Sequence, residues 1–221
     1  VWRSAAIDEI PPRWTEIFAG ALGRRTLIAT AVTTSVLIAY WGLFSWLPGF
    51  LAAPREAGGA GMSIVRSGVW IFAMQGGSLA GYLSFGFFAD RWGRKPAFVF
   101  FVLGAAVVTP LYGLAPGWIT DAALAEQVLF ALGPAVGFFG TGYFSLFGAM
   151  LAELFPTRVR GAGQGFAYNF GRAVSAAAPY SIGLAAERIG LGPALTANAG
   201  FFVLAALVIQ LLPETRAVEL E

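Results

Sequence analysis

Gly86-Phe87-Phe88-Ala89-Asp90-Arg91-Trp92-Gly93-Arg94-Lys95 joins two apolar runs, about Ile64–Phe88 and Ala97–Ala115, and its reading decides the fold. A connection this short needs a permissive residue, which Gly93 supplies, and its cations suit the cytoplasmic edge of a bilayer. Outward from it lie four more runs: about Leu27–Leu47, Val128–Leu151, Ala162–Leu184 and Ala194–Leu212. Each is near the roughly 20 residues that cross a hydrocarbon core of about 30 Å. The chain is 57% hydrophobic and 12% charged, whereas soluble domains carry about a quarter charged residues. No soluble globule can hide that much apolar surface, and the 29 Gly and 12 Pro are tolerated in membrane helices whose backbones approach closely. The expected fold is an all-α membrane protein, a six-transmembrane-helix bundle in contact with lipid.

Six crossings put both ends of the chain on one side. Arg3, Arg13, Arg24, Arg25, Arg91, Arg94, Lys95, Arg158, Arg160 and Arg216 flank that side, against Arg55, Arg66 and Arg188 on the other. The positive-inside rule therefore makes both termini cytoplasmic. The expected division is a cytoplasmic segment over 1–25, the membrane unit over 26–213 and a cytoplasmic tail over 214–221. Within the first segment, Trp14, Ile17, Phe18, Ala21 and Leu22 recur at helical spacing after Pro11-Pro12, which fits a short interfacial helix or, equally, a linker. Gly77-x-x-x-Gly81, Gly133-x-x-x-Gly137 and Gly161-x-x-x-Gly165 have the spacing that brings membrane helices together. Nothing over Val1–Pro12 reads as a cleavable signal.

Three motifs sit at matching topological positions. The 86–95 stretch resembles the G-x-x-x-D-R-x-G-R-K loop of the major facilitator superfamily. Glu153-Leu154-Phe155-Pro156-Thr157-Arg158-Val159-Arg160-Gly161 resembles the E-x-x-P-x-x-x-R-G segment of its sugar-porter-like members. Pro213-Glu214-Thr215-Arg216 is similar to the P-E-T-[KR] that closes the C-terminal half in sugar porters. The run from Pro156 to Arg172 is similar to the sialate and monocarboxylate proton-symporter branch. The resemblance implies helices seven to twelve of a twelve-helix carrier, with a first six-helix half elsewhere, in the cell (inner) membrane. It also implies that Gly86, Asp90, Arg91, Gly93, Arg94, Lys95, Glu153, Pro156, Arg158 and Arg160 form the cytoplasmic loops and gating contacts.

The residues themselves explain part of this. Pro156 stops the helix before it, and Glu153 can pair with Arg94, Arg158 or Arg160 at the same face. Asp90 ends its own helix, where the macrodipole disfavours an anion, so it needs a cation or another helix's N-terminus.

In the fifth run, Gln164, Tyr168, Arg172 and Ser175 share one helical face, with Asn169 at its edge. Arg172 lies ten residues past Ala162, about 15 Å along the helix at roughly 1.5 Å per residue and hence near the midplane. An intramembrane arginine is costly and points to function. No acidic residue lies within the six runs, so its partner is a substrate anion, a side chain of the other half, cavity water, or groups such as Tyr40 and Tyr143. The alternative is a structural arginine at the interface between halves. Gln75, Tyr40, Trp41 and Tyr143 are polar-tipped side chains in spans, equally suited to packing and to ligand contact, and Trp46 and Trp118 read as interfacial anchors.

Transport of a small organic metabolite, an acid coupled to protons, is the expectation, by alternating access about a central site as the resemblance implies. A neutral sugar with Arg172 structural is the second reading, and a membrane sensor on the same fold a third. Without His or Cys, histidine relays, thiolate chemistry and soft-metal sites are excluded. No acid pair or serine–base arrangement suggests an enzyme, no cofactor is expected, and a net charge of +2 does not suggest nucleic acid.

Overall fold

The computed structural model describes residues 13–215. Arg3, Pro11, Pro12 and Arg216, with the rest of 1–12 and 216–221, lie outside the described residues. Ten α-helices build six crossings: α1 Gly20–Phe44 with α2 Leu47–Ala52, α3 Ile64–Trp92, α4 Arg94–Trp118, α5 Ala122–Thr141 with α6 Phe144–Glu153, α7 Arg160–Ser175 with α8 Ala178–Ile189, and α9 Leu191–Asn198 with α10 Gly200–Val208. The first crossing starts at Gly20, so Arg24 and Arg25 belong to its opening turns rather than to a preceding segment.

Four crossings, over Gly20–Ala52, Arg94–Trp118, Ala122–Glu153 and Leu191–Leu211, are long and apolar enough to span a bilayer by length and composition alone. The other two are more polar. The α3 crossing carries Arg66 at one end and Asp90 and Arg91 at the other, while α7 carries Gln164, Asn169 and Arg172 in mid-course. A helix with polar groups in mid-course suits a wall facing a cavity better than one facing lipid. The helices also outrun the apolar runs and take acidic residues into their ends: Asp90 in α3, Glu126 in α5, Glu153 in α6 and Glu187 in α8.

Kinks divide four of the crossings, and each has a local cause. At Ser45–Trp46 and Ala176–Ala177 the backbone stays right-handed, but Pro48 and Pro179 at the starts of α2 and α8 have no N–H to continue the ladder. Trp46 spans the two proline kinks by donating its indole N–H to the Pro179 carbonyl at 2.7 Å. It therefore clamps crossings one and five together; Trp118 is 63% exposed at the end of α4. The α5–α6 kink falls at Gly142-Tyr143, and the α9–α10 kink at Ala199 follows Asn198, whose amide donates to the Ala39 carbonyl at 2.9 Å.

Close backbone approach sets the α3–α5 contact. A Cβ on Gly77 would overlap the Pro134 carbonyl, one on Gly81 the Phe138 carbonyl, and one on Gly137 the Met74 carbonyl. Gly161 and Gly165 have nothing near them, so the third glycine pair is not a packing motif. In α7 the close approaches belong to Gly163, against the Phe155 ring, and Gly171, against Thr33 and Thr34 of α1. The difference is one of helical phase: Gly161 and Gly165 lie on the open face and Gly163 and Gly171 on the packed one.

Before α1, Trp14–Phe18 forms a 3-10 helix rather than an amphipathic α-helix. It folds back on the bundle. Ile17 is 1% exposed, its carbonyl accepts from the Thr26 hydroxyl at 2.6 Å, and Phe18 meets Phe166 edge-on at 5.0 Å.

Candidate functional site

A cavity of about 540 Å³ lies between α1, α3, α6 and α7. Arg172, Tyr168 and Gln164 line it from α7, Tyr40, Trp41 and Leu37 from α1, Tyr82 from α3, and Phe144, Phe147 and Gly148 from α6. The i, i+4, i+8 spacing on α7 produces the polar wall, and Gly171 lets that helix sit close to α1. Arg172 lies in the last turn of α7, where the carbonyl end of the helix favours a cation. Among the described residues it pairs with no carboxylate, and none lines the cavity. Gln164 is tied to the opposite wall by donating to the Gly148 carbonyl at 3.1 Å. Tyr40 is held by an aromatic cage, with Phe44 at 4.8 Å, Phe144 at 5.0 Å and Trp41 at 5.2 Å between ring centroids.

Four of the expected residues sit elsewhere. Gln75 lines a second opening of about 270 Å³ beside the α1–α2 kink, which adjoins the first through Tyr40 and Trp41. Asn169 is exposed off the cavity wall and turned back on its own helix, donating to the Gly165 carbonyl at 2.8 Å. Ser175 is buried, with its hydroxyl donating to the Arg172 carbonyl at 2.8 Å, one turn beyond Gly171, which packs against α1. Tyr143 is 0% exposed, packed behind the lining between Phe98 and Phe144, and is not a wall residue. Tyr82 and Phe144 were not singled out by sequence. Tyr82 follows Gly81, whose contact with α5 fixes the helix phase, and that contact is the signal that could have found it.

At the end of the bundle carrying the three motifs, the chain forms a linked charge network. Arg94 bonds Asp90 at 2.8 Å and faces Glu153 at 3.5 Å, with Glu153 at 12% and Asp90 at 74% side-chain exposure. The half-buried Glu153 also accepts from the Thr215 hydroxyl at 2.5 Å. Glu214, part of the third motif but not among the residues expected to make gating contacts, accepts from the Arg94 and Lys95 amides at 2.9 and 3.1 Å and so caps the start of α4. Lys95 returns the contact by donating to the Leu212 and Gln210 carbonyls at 2.7 and 3.2 Å. Gly93, at φ +107°, holds the turn, and a side chain there would press on the Glu214 carboxylate.

Arginines also serve the C-terminal carbonyls of α6. Arg160 donates to those of Ala152 and Phe155 and Arg25 to that of Leu154, so Arg160 caps a helix end instead of joining a carboxylate. Arg158 bonds Glu16 at 2.8 Å, tying the 3-10 segment to the Pro156 loop. The Glu16 carboxyl is held below its usual range first by the Arg13 backbone N–H, which outweighs the opposing effect of desolvation, and then by the Arg158 guanidinium. At the opposite end, Arg66 bonds Glu126 at 2.8 Å and Arg55 caps α4 through the Pro116 and Ile119 carbonyls.

Residues 87–221 match the family model described as "Sugar (and other) transporter". The chain is 33% identical over 196 residues to a putative metabolite transport protein of Haemophilus influenzae, a match covering 88% of this chain and 45% of that protein. It is 32% identical over 212 residues to a probable 4-methylmuconolactone transporter of Cupriavidus pinatubonensis, covering 94% and 46%. To the sialic acid transporter NanX of Escherichia coli it is 28% identical over 171 residues, covering 77% and 39%. The chain thus spans less than half the length of these relatives. With a six-crossing all-α bundle, three motifs on one end of it and a family match across more than half its length, the chain belongs to the sugar (and other) transporter family of the major facilitator superfamily.

Proposed function

We propose that this chain is one half of a secondary carrier for a small organic acid, and that Arg172 grips the acid's carboxylate in the cavity between α1, α3, α6 and α7. The observation that carries the reading is an arginine on a cavity wall, paired with no described carboxylate and flanked by Tyr168, Tyr40 and Gln164. A guanidinium left without an anion in a membrane protein favours a ligand that brings one. Relatives named for 4-methylmuconolactone and sialic acid add support. Arg172 is exposed on that wall, as a residue of a site shared with a second six-helix half would be, and the two halves rock about it by alternating access. Proton coupling then draws its titrating group from the other half, since no acid or histidine lines this wall.

The test is uptake by the full-length carrier in proteoliposomes. Arg172→Gln lowers acid uptake at least tenfold, about 1.4 kcal/mol or more of binding or transition-state free energy, while the protein still inserts and elutes as a single species. Arg172→Lys keeps the charge, loses the planar fork and falls between the two. Acid uptake at the wild-type rate by the Gln variant, or uptake of neutral sugars in place of acids, overturns the reading.

A further inference from the structure

Tyr143 is the feature that the cavity leaves unexplained. Its ring is fully buried against Phe98 at 5.6 Å and Phe144 at 4.5 Å, and its hydroxyl has no hydrogen-bond partner. Buried hydroxyls are almost always paired, because an unpaired one forfeits its bonds to water. Phe144, its neighbour in sequence and itself a wall residue, links it to the cavity, meeting the Tyr40 ring edge-on at 5.0 Å. Tyr143 also sits in the α5–α6 kink, where Ser145 N bonds Gly142 O at 3.2 Å in a turn and the regular ladder lapses.

We propose that Tyr143 is a specificity-determining residue held in reserve: as α6 swings about the Gly142-Tyr143 kink to close on substrate, its hydroxyl meets a second oxygen of the acid that Arg172 holds. This rests on the reading of the cavity as an acid site and extends it. Arg172 recognises the carboxylate, and the tyrosine hydroxyls of α1, α3 and the kink recognise further hydroxyl, ester or carboxyl oxygens, so the favoured substrate is an oxygen-rich acid rather than a plain monocarboxylate. A hydroxyl without a partner in the open form and with one in the closed form contributes only to the bound state. It therefore discriminates strongly against an analogue lacking the matching oxygen.

The experiment uses the full-length carrier with labelled sialic acid as the oxygen-rich substrate and benzoate, which has only its carboxylate, as competitor. Tyr143→Phe removes the hydroxyl and keeps the ring. The expected result is an approximately tenfold fall in sialic acid kcat/KM, an unchanged inhibition constant for benzoate, and a melting temperature without ligand equal to or above that of the wild type. Unchanged sialic acid transport overturns the proposal, as does an equal weakening of both ligands. A variant that folds poorly also overturns it, since the hydroxyl would then be satisfied in the resting fold. If wild-type carrier binds neither acid, the cavity reading falls and this inference with it; if Arg172→Gln abolishes uptake while Tyr143→Phe does not change it, this inference alone falls.

Discussion

Single residues in this chain divide into those whose partner lies within a few positions and those whose partner lies a crossing away. Asp90 and Arg94 are four apart and meet at 2.8 Å, as the helix-end argument for Asp90 required. Glu16 and Arg158 are far apart in sequence, yet their bond holds the 3-10 segment on the Pro156 loop. A carboxyl whose folded pKa lies below its unfolded one stabilises at pH values above the unfolded pKa and loses that contribution as pH falls through the folded value. Wild type should therefore melt above Glu16→Gln at neutral pH, with the gap closing as pH drops below about 4, the ordinary glutamate range. Paired thermal scans across pH read this directly; a gap that persists at acid pH removes Glu16 as its source.

At the scale of elements, the α3–α5 seam shows how a membrane bundle is held without a hydrophobic driving force between helices. Gly77, Gly81 and Gly137 put backbone against carbonyl, and dispersion at that distance replaces the side-chain burial of a soluble core. Gly77→Val should force the seam apart at a cost of about 1–3 kcal/mol, seen as a lower melting temperature in detergent, whereas Gly165→Val, facing open space, should leave it unchanged. Equal melting temperatures for the two variants would show that the seam does not depend on this approach. The six crossings and the first two glycine pairs were legible in the sequence because apolar run length and i, i+4 spacing are local properties. The kinks at Gly142-Tyr143 and Ala199 were not, since no proline marks them. On α7, Gln164, Tyr168 and Arg172 line the cavity, whereas Ser175 and Asn169, expected on that face and at its edge, do not: Ser175 is buried and Asn169 turns back on its own helix. Tyr143 was legible as a polar tip in a span, but its burial depends on Phe98 of another crossing.

For the whole molecule, the concentration of cations at one end sets the orientation. Arg24, Arg25, Arg91, Arg94, Lys95, Arg158 and Arg160 lie at the end holding the three motifs, and Arg55, Arg66 and Arg188 at the other. The positive-inside rule predicts the first group on the cytoplasmic side. Cysteines introduced at Thr157 and Glu56, both exposed and in opposite loops, should react with an impermeant thiol reagent from opposite sides of sealed vesicles. This chain contributes no native cysteine to the background. Labelling of both from the same side would refute the arrangement. Gly59 and Gly93 are unsuited to this experiment, because a side chain at Gly59 would collide with the Ala53 carbonyl and one at Gly93 is strained by its positive φ.

The reciprocal caps between Lys95 and the end of the last crossing, and between Glu214 and the start of α4, bear on the order in which the molecule is made. A ribosome delivers the third crossing long before Glu214, so the first amides of α4 must wait in water at the membrane surface while three further crossings are threaded. The chain cannot fasten that end until its sixth crossing is through, which makes this joint a latch set only after that crossing. A nascent chain stalled before Pro213 would hold every membrane-spanning segment yet leave the motif end unfastened, open to quality-control proteases at the site where the finished protein is tied.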